Sequence, residues 1–456
     1  MSRSNENSIL LGTAPIKRLL FNQAMPAAIG FMVMSLNMMV DTYFVGQYIK
    51  DGDLAIGAIS VVFPISFLFS SIGMSIGIGG GSIVSRALGA NDKNKALLAF
   101  NNQVCLTLFL AFLVVIAGVV YKTPMLDLFG AKGKIMEYAD IYFSIVLVGI
   151  PFLAISMMAN NNLRAEGKAK IAMVVLLIPS IVNILLDYVF IDLMDYGMEG
   201  AGWATTISYL GCAAYIFYFY LAGKGEMKVI PEKFKLNKSI VSETLKLGSV
   251  NMVRQGTLSV LAIVLNTSLF KYGNLDGMGG ETAISVYGLA GRLVMFAFFP
   301  LIGIAQGFMP IAGYNYGAKN YERLKEVINV ALIYGFIIAG FICLILIYSA
   351  EWIPYLFTKD MALLEYSPDA IFWLFVTSPV VSFTLISPSY YQAIGKATPA
   401  LLLTLTKQGL FLIPLVIILP VYYGIDGIWY SFPISDIISA IICYYFLRKS
   451  MKKLVK

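Results

Sequence analysis

The chain contains no histidine, which removes the side chain that most readily carries a proton near neutral pH. Proton chemistry, if any, falls to carboxylates. Only 13% of residues are charged, against roughly 25% in soluble domains. The four cysteines, Cys105, Cys212, Cys343 and Cys443, are far apart in apolar surroundings. No spacing among them suggests a metal site, and they read as small buried hydrophobes. The chain has no G-x4-G-K-[ST] run, so no nucleotide-binding loop of that kind is expected. Without histidine or a Cys–His set, little is left for covalent catalysis, and an enzyme is disfavoured. No short apolar core with a small-residue cleavage site precedes Phe21, so no signal peptide is expected. The net charge of +7 points to membrane topology rather than to nucleic acid.

Hydrophobic residues make up 59% of the chain. Apolar stretches of about 20 residues, enough to cross a bilayer, follow one another along its length. Backbone in lipid must satisfy its own hydrogen bonds, and these stretches are too long for barrel strands. The expectation is an all-α membrane protein with twelve spans. The sequence also repeats itself. A shift of 228 residues lays Ala55–Ala90 on Ala283–Ala318 without a gap, and Pro151, Gly167 and Lys168 on Pro379, Gly395 and Lys396. Tyr-Gly-Met-Glu-Gly at 196–200 recurs as Tyr-Gly-Ile-Asp-Gly at 423–427. Six spans per half enter the membrane in the same sense, so a pseudo-twofold axis along the membrane normal is expected. The predicted division is a six-helix lobe at 1–222, a cytoplasmic connection at 223–246 and a second six-helix lobe at 247–456.

Placing both termini in the cytoplasm puts 24 of the 33 Lys and Arg residues on that side, from Arg3 to Lys456, and six on the other. That excess follows the positive-inside rule and predicts a multi-pass protein of the cytoplasmic membrane.

Three cations, Arg254, Arg292 and Lys407, and three acids, Asp41, Asp187 and Asp436, remain inside spans. A charge at mid-bilayer costs at least about 2.5 kcal/mol, so each needs a partner, a cavity or a function. Asn183 lies four residues before Asp187, on the same helix face. If the first and fifth helices meet, Asp41, Asn183 and Asp187 form an oxygen-rich cluster suited to a hard monovalent cation or a shared proton. The bland alternative is that each Asp accepts bonds from hydroxyls such as Thr42. In the second half, an ion-pair network around Asp436 competes with a cationic lining for an anionic group. Five glycines of the second span, Gly73, Gly77, Gly79, Gly80 and Gly81, read as close helix packing. Pro26 interrupts the first span.

These features together resemble the multidrug and toxic compound extrusion (MATE) family, over about 15–450. The carrying residues are Pro26 and Asp41 in MP-x14-D-TYFVG, SRALGA (85–90), LRAEGKAK (163–170), NILLDYVFI (183–191), GAGWATTIS (200–208), SVYGLAGRLVMF (285–296), YNYGA (314–318) and QAIGKATPA (392–400). The bacterial branch with the DNA-damage-inducible and Gram-positive multidrug exporters is the most similar. The resemblance implies a coupling-ion site at Asp41, Asn183, Asp187 and the sixth-helix hydroxyl Thr205, with bending of the first helix at Pro26. Asn266 matches a common seventh-helix Asn. Val250 stands where many relatives have Pro. The C-lobe carboxylates of another branch are missing from the seventh and tenth spans.

The expected function is antiport by alternating access. An amphipathic organic substrate, a cation by the acids of the first lobe, leaves in exchange for Na+ or H+. No cofactor beyond that ion, no nucleic acid and a monomer in the bilayer are expected. Candidate substrate-cavity residues are Arg254, Asn266, Arg292, Gln306, Lys407 and Asp436. The competing reading is a flippase for a lipid-linked precursor, with Arg254, Arg292 and Lys407 holding a pyrophosphate. A non-transporting membrane receptor is disfavoured by the paired halves and the buried acids.

Overall fold

The computed structural model describes residues 6–230 and 233–454. Arg3 and Lys456, counted above on the cytoplasmic side, lie outside these residues. The described chain is helical throughout. The first half comprises α1 (Glu6–Thr13), α2 (Ile16–Tyr48), α3 (Gly52–Gly89), α4 (Lys93–Val120), α5 (Lys122–Leu128), α6 (Lys134–Ala165), α7 (Ala169–Asp187) and α8 (Gly197–Leu221). The second comprises α9 (Lys238–Leu275), α10 (Gly280–Gly317), α11 (Tyr321–Tyr348), α12 (Met361–Phe375), α13 (Ser378–Ala393), α14 (Ala397–Leu405), α15 (Ile413–Ile418) and α16 (Pro420–Lys453).

Eleven helical segments are long and apolar enough to span a bilayer. A twelfth span forms if α12 and α13, bent by 46° at their junction, cross as one. The bend has a local cause. Pro379 at the start of α13 offers no N–H and disfavours helical geometry in the residue before it. The chain is thus a multi-pass membrane protein.

Two compact units result. One holds residues 1–14 and 29–248, the other 15–28 and 249–456. The opening turns of α2 pack in the second unit, and those of α9 pack in the first.

Small residues at repeated positions explain both packings. A Cβ on Gly79 would overlap the carbonyl oxygen of Thr244 and come within 2.9 Å of the Gly248 nitrogen, so α3 takes the start of α9 backbone to backbone. Its repeat partner, Gly307 on α10, would meet the Ala24 nitrogen of α2 at 2.7 Å. On another face of α3, Gly73 closes onto the carbonyl of Ala154, bringing α3 against α6. Glycine removes the side chain that would hold these helices apart.

The connection after α8 is not a free tether. Asn101 donates to the Lys228 carbonyl (2.9 Å) and accepts from the Ile230 N–H (2.7 Å). Asn102 accepts from the Asn237 N–H (2.6 Å). These amides fix the connection to α4 and make it part of the first unit. Cys212, Cys343 and Cys443 are buried free thiols and Cys105 is half-buried.

Candidate functional site

The first unit brings four helices together around the acids of the first and fifth spans. Asp41 lies on α2 and Asp187 ends α7, and the two carboxyl groups interact electrostatically. Two carboxylates in so dehydrated a place cannot both stay charged cheaply without a cation or proton between them. Asn183 donates through Nδ2 to Asp187 Oδ1 (3.3 Å). Asn37 donates through Nδ2 to Asn183 Oδ1 (2.9 Å). Asp187 is fully buried, and Asn183 and Thr205 are 4% and 8% exposed.

Three oxygens stand out. Asn37 Oδ1, Asp41 Oδ1 and Asp187 Oδ2 are sealed from solvent and have no hydrogen-bond partner among the described residues. Buried acceptors are normally paired, and leaving one bare costs about 1–3 kcal/mol. Three in one cluster, two of them on carboxyl groups, make a donor set for a hard cation or proton. Thr205 Oγ1 on α8 donates to the Ala201 carbonyl (3.0 Å) and lies 3.4 Å from the Tyr142 hydroxyl of α6. Tyr142 interacts electrostatically with both Asp41 and Asp187, and Tyr209 with Asp41.

The expected residues Asp41, Asn183, Asp187 and Thr205 are therefore gathered in one place. Asn37, Tyr142 and Tyr209 belong with them and were not foreseen. Asn37 did leave a signal. It precedes Asp41 by four residues, as Asn183 precedes Asp187, so each helix presents an amide and a carboxyl on one face. Tyr142 and Tyr209 left none among 27 tyrosines.

Immediately after Asp187 the helix widens into a π-helical turn, Tyr188–Leu193. Such turns shift the hydrogen-bond register and are frequent at functional sites. The second half repeats the device after α14, at Thr406–Leu412, and this turn carries Lys407. Lys407 Nζ lies 2.8 Å from Asp436 Oδ1. Thr377, at the α12–α13 bend, donates to Asp436 Oδ2 (3.0 Å). Ser435 donates to the Lys407 carbonyl (2.7 Å).

The expected network around Asp436 thus reduces to one pair and a hydroxyl. Arg254 and Gln306 are half-buried, and Asn266 and Arg292 are exposed. No hydrogen bond or ion pair among the described residues joins any of these four to Lys407 or Asp436.

Pro26 sits inside α2 and deprives the Asn22 carbonyl of its helical partner. It lies two residues before the point where α2 passes from the second unit to the first.

The sequence model of the family described as MatE matches residues 26–189 and again 261–418. The chain belongs to the MatE family. The two matched stretches of this MatE chain fall one in each half, as the internal repeat requires. The multidrug export protein MepA of Staphylococcus aureus (strain MRSA252) is 26% identical over 442 residues, covering 95% of each chain. MepA of Staphylococcus saprophyticus is 26% identical over 432 residues, covering 93% of this chain and 92% of that one. Among solved structures, a MATE in the bent conformation superposes with a TM-score of 0.92 at 24% identity, covering 99% of both chains. The straight conformation gives 0.91 at the same identity and coverage. These structural likenesses establish the MATE fold.

Proposed function

We propose that this MatE protein is a secondary antiporter that exports amphipathic organic molecules in exchange for Na+ or H+. The observation that carries the reading is the cluster of Asn37, Asp41, Asn183 and Asp187, with three buried oxygens lacking partners among the described residues. The MepA relatives are named as multidrug exporters, which supports drug-like substrates here.

An ion entering the cluster supplies the positive charge its oxygens lack. It draws Asp41 on α2 toward Asp187 on α7. The part of α2 that carries Asp41 belongs to the first unit, and the part before Ile29 belongs to the second. A pull on Asp41 is therefore transmitted along one helix through the weakened turn at Pro26. Ion binding shifts the conformational balance only to the extent that it favours one arrangement of this helix. The driving force is an ion gradient, worth about 2.3 kcal/mol per charge per 100 mV of membrane potential. Thr205, with the Tyr142 hydroxyl beside it, completes the polar wall of the site.

The acids of the first unit favour organic cations as substrates. In the second unit Lys407 is neutralised by Asp436, so only Arg254 and Arg292 remain for an anionic group. That takes one of three cations from the set the flippase reading needs. The distribution of Lys and Arg supports cytoplasmic termini, and the protein is taken to work as a monomer.

The test is drug efflux from proteoliposomes under a sodium gradient and a proton gradient imposed separately. Acceleration by at least one of them is expected. Efflux indifferent to both gradients overturns the reading.

A further inference from the structure

One face of α16 changes character along its length. Ile434, Ile437 and Ile441 are exposed at spacings of three and four residues, the repeat of a single helix face. Tyr444 and Tyr445, both exposed, continue it. Arg448 and Lys449 stand four residues further on, and Lys452 and Lys453 four beyond those, all exposed. Residues four apart lie one above the other on a helix. Two rows result, one of Tyr444, Arg448 and Lys452, the other of Tyr445, Lys449 and Lys453. Ala440, Cys443 and Leu447, turned the other way, are buried. The Arg448 guanidinium lies over the Tyr444 ring (5.7 Å) and Lys449 Nζ over the Tyr445 ring (5.8 Å), within cation–π range.

The four cations keep their charge uncompensated within the chain. No Asp or Glu follows Asp436 in the sequence. None of the five salt bridges among the described residues includes Arg448, Lys449, Lys452 or Lys453. Nor does the repeated scaffold demand them. Leu221, where α8 ends, and Arg448 each stand 25 residues past the tyrosine of the repeated motif, Tyr196 and Tyr423. α8 stops there, whereas α16 runs on to Lys453. Beyond α8 a single cation, Lys224, lies over the Tyr218 ring (4.6 Å), and the acid Glu226 follows it.

Ile434 to Tyr444 is ten residues of helix. At 1.5 Å per residue that is about 15 Å, the depth of one leaflet of a roughly 30 Å hydrocarbon core. Tyrosine favours the level where hydrocarbon meets headgroups, and clustered cations just beyond a span attract anionic lipid. The order along this face is therefore that of a phospholipid read from chain to phosphate. We infer that the face holds an anionic phospholipid, its acyl chains against the three isoleucines and its phosphate among the four cations. The surface is open, so the lipid lies along the helix and needs no cavity. A zwitterionic phospholipid brings its own ammonium and gains less from the cations. Inorganic phosphate or an acidic peptide has no chains to lay on the isoleucines. The inference is independent of which ion or drug the protein carries.

The test is native mass spectrometry of the full-length protein in detergent, offered phosphatidylglycerol and phosphatidylcholine of identical chains in equal amounts. Preferential retention of phosphatidylglycerol is expected. Replacing the four cations together (Arg448→Gln, Lys449→Gln, Lys452→Gln and Lys453→Gln) should lower that preference by at least about tenfold. Lys224→Gln should leave it in place. In the unaltered protein the preference should fall as ammonium acetate is raised, because exposed charges are screened. This titration needs no variant, so it decides the matter even if the fourfold variant does not fold. Equal retention of the two lipids overturns the proposal, as does a preference indifferent to salt. So does a preference that survives in the folded fourfold variant, or one that inorganic phosphate or an acidic peptide abolishes at the concentration of the lipid.

Discussion

Replacing Asn37 with alanine separates its role from that of the two acids beside it. The substitution removes a hydrogen bond of 2.9 Å to Asn183 and one of the three bare oxygens. The loss to ion binding comes from Asn37 Oδ1 itself, an acceptor that bonds a charged group, worth about 1.5–3 kcal/mol. The acids remain, so the charge that attracts the ion is intact. A net loss of about 1.4–2.8 kcal/mol in ion binding corresponds to about a 10- to 100-fold rise in the half-saturating ion concentration. The assay is ion-dependent drug efflux in proteoliposomes, titrated with the coupling ion at fixed drug. Maximal efflux at saturating ion should change far less than the midpoint. Asn266→Ala, at an exposed position, should leave the midpoint in place. A midpoint in Asn37→Ala that shifts less than about threefold would refute the argument, because the bare oxygen would then contribute nothing to the ion.

Asp187→Asn should abolish gradient-driven efflux while the protein still folds, read by transport in vesicles beside size-exclusion and thermal unfolding profiles. Lys407→Met should destabilise the second unit by about 3 kcal/mol, because it leaves Asp436 buried and uncompensated. Adding Asp436→Asn should recover most of that loss in thermal unfolding, and a double variant as unstable as the single one contradicts the pairing argument. Burial raises the pKa of Glu226, which lies in the connection outside the spans and anchors Ser8 of α1. A carboxyl raised in the folded state contributes stability while protonated and loses it as pH rises through its folded-state titration. The thermal stability of the protein should therefore fall as pH climbs above the ordinary glutamate range, and Glu226→Gln should flatten that dependence.

Much of this arrangement is legible in the residues alone. Spans show themselves because lipid demands long apolar runs, and the shared face of Asn183 and Asp187 follows from helical spacing. Asp41 and Asp187 attract notice because a charge in a span is costly. Asn37 escapes because an amide costs less and is not conspicuous singly. Its four-residue spacing from Asp41 gains meaning beside the matching pair on α7. Tyr142 and Tyr209 are hidden by the abundance of their type. The exchange of opening turns between units could not be read, since the local sequence of Pro15–Ala28 and 238–248 says only that these are helices. Which surface they cover depends on contacts far along the chain, at Gly307 and Gly79. The pairing of Lys407 with Asp436 to the exclusion of Arg254 and Arg292 is likewise a tertiary choice among cations of equal charge.

The most direct test of the central claim is exchange itself: adding drug to one side of proteoliposomes clamped at zero potential and recording ion movement. The account predicts that drug crossing one way drives Na+ or H+ the other way, and that Asp41→Asn and Asp187→Asn each eliminate this ion flux. Drug crossing at an unchanged rate with no accompanying ion flux in the unaltered protein would contradict it.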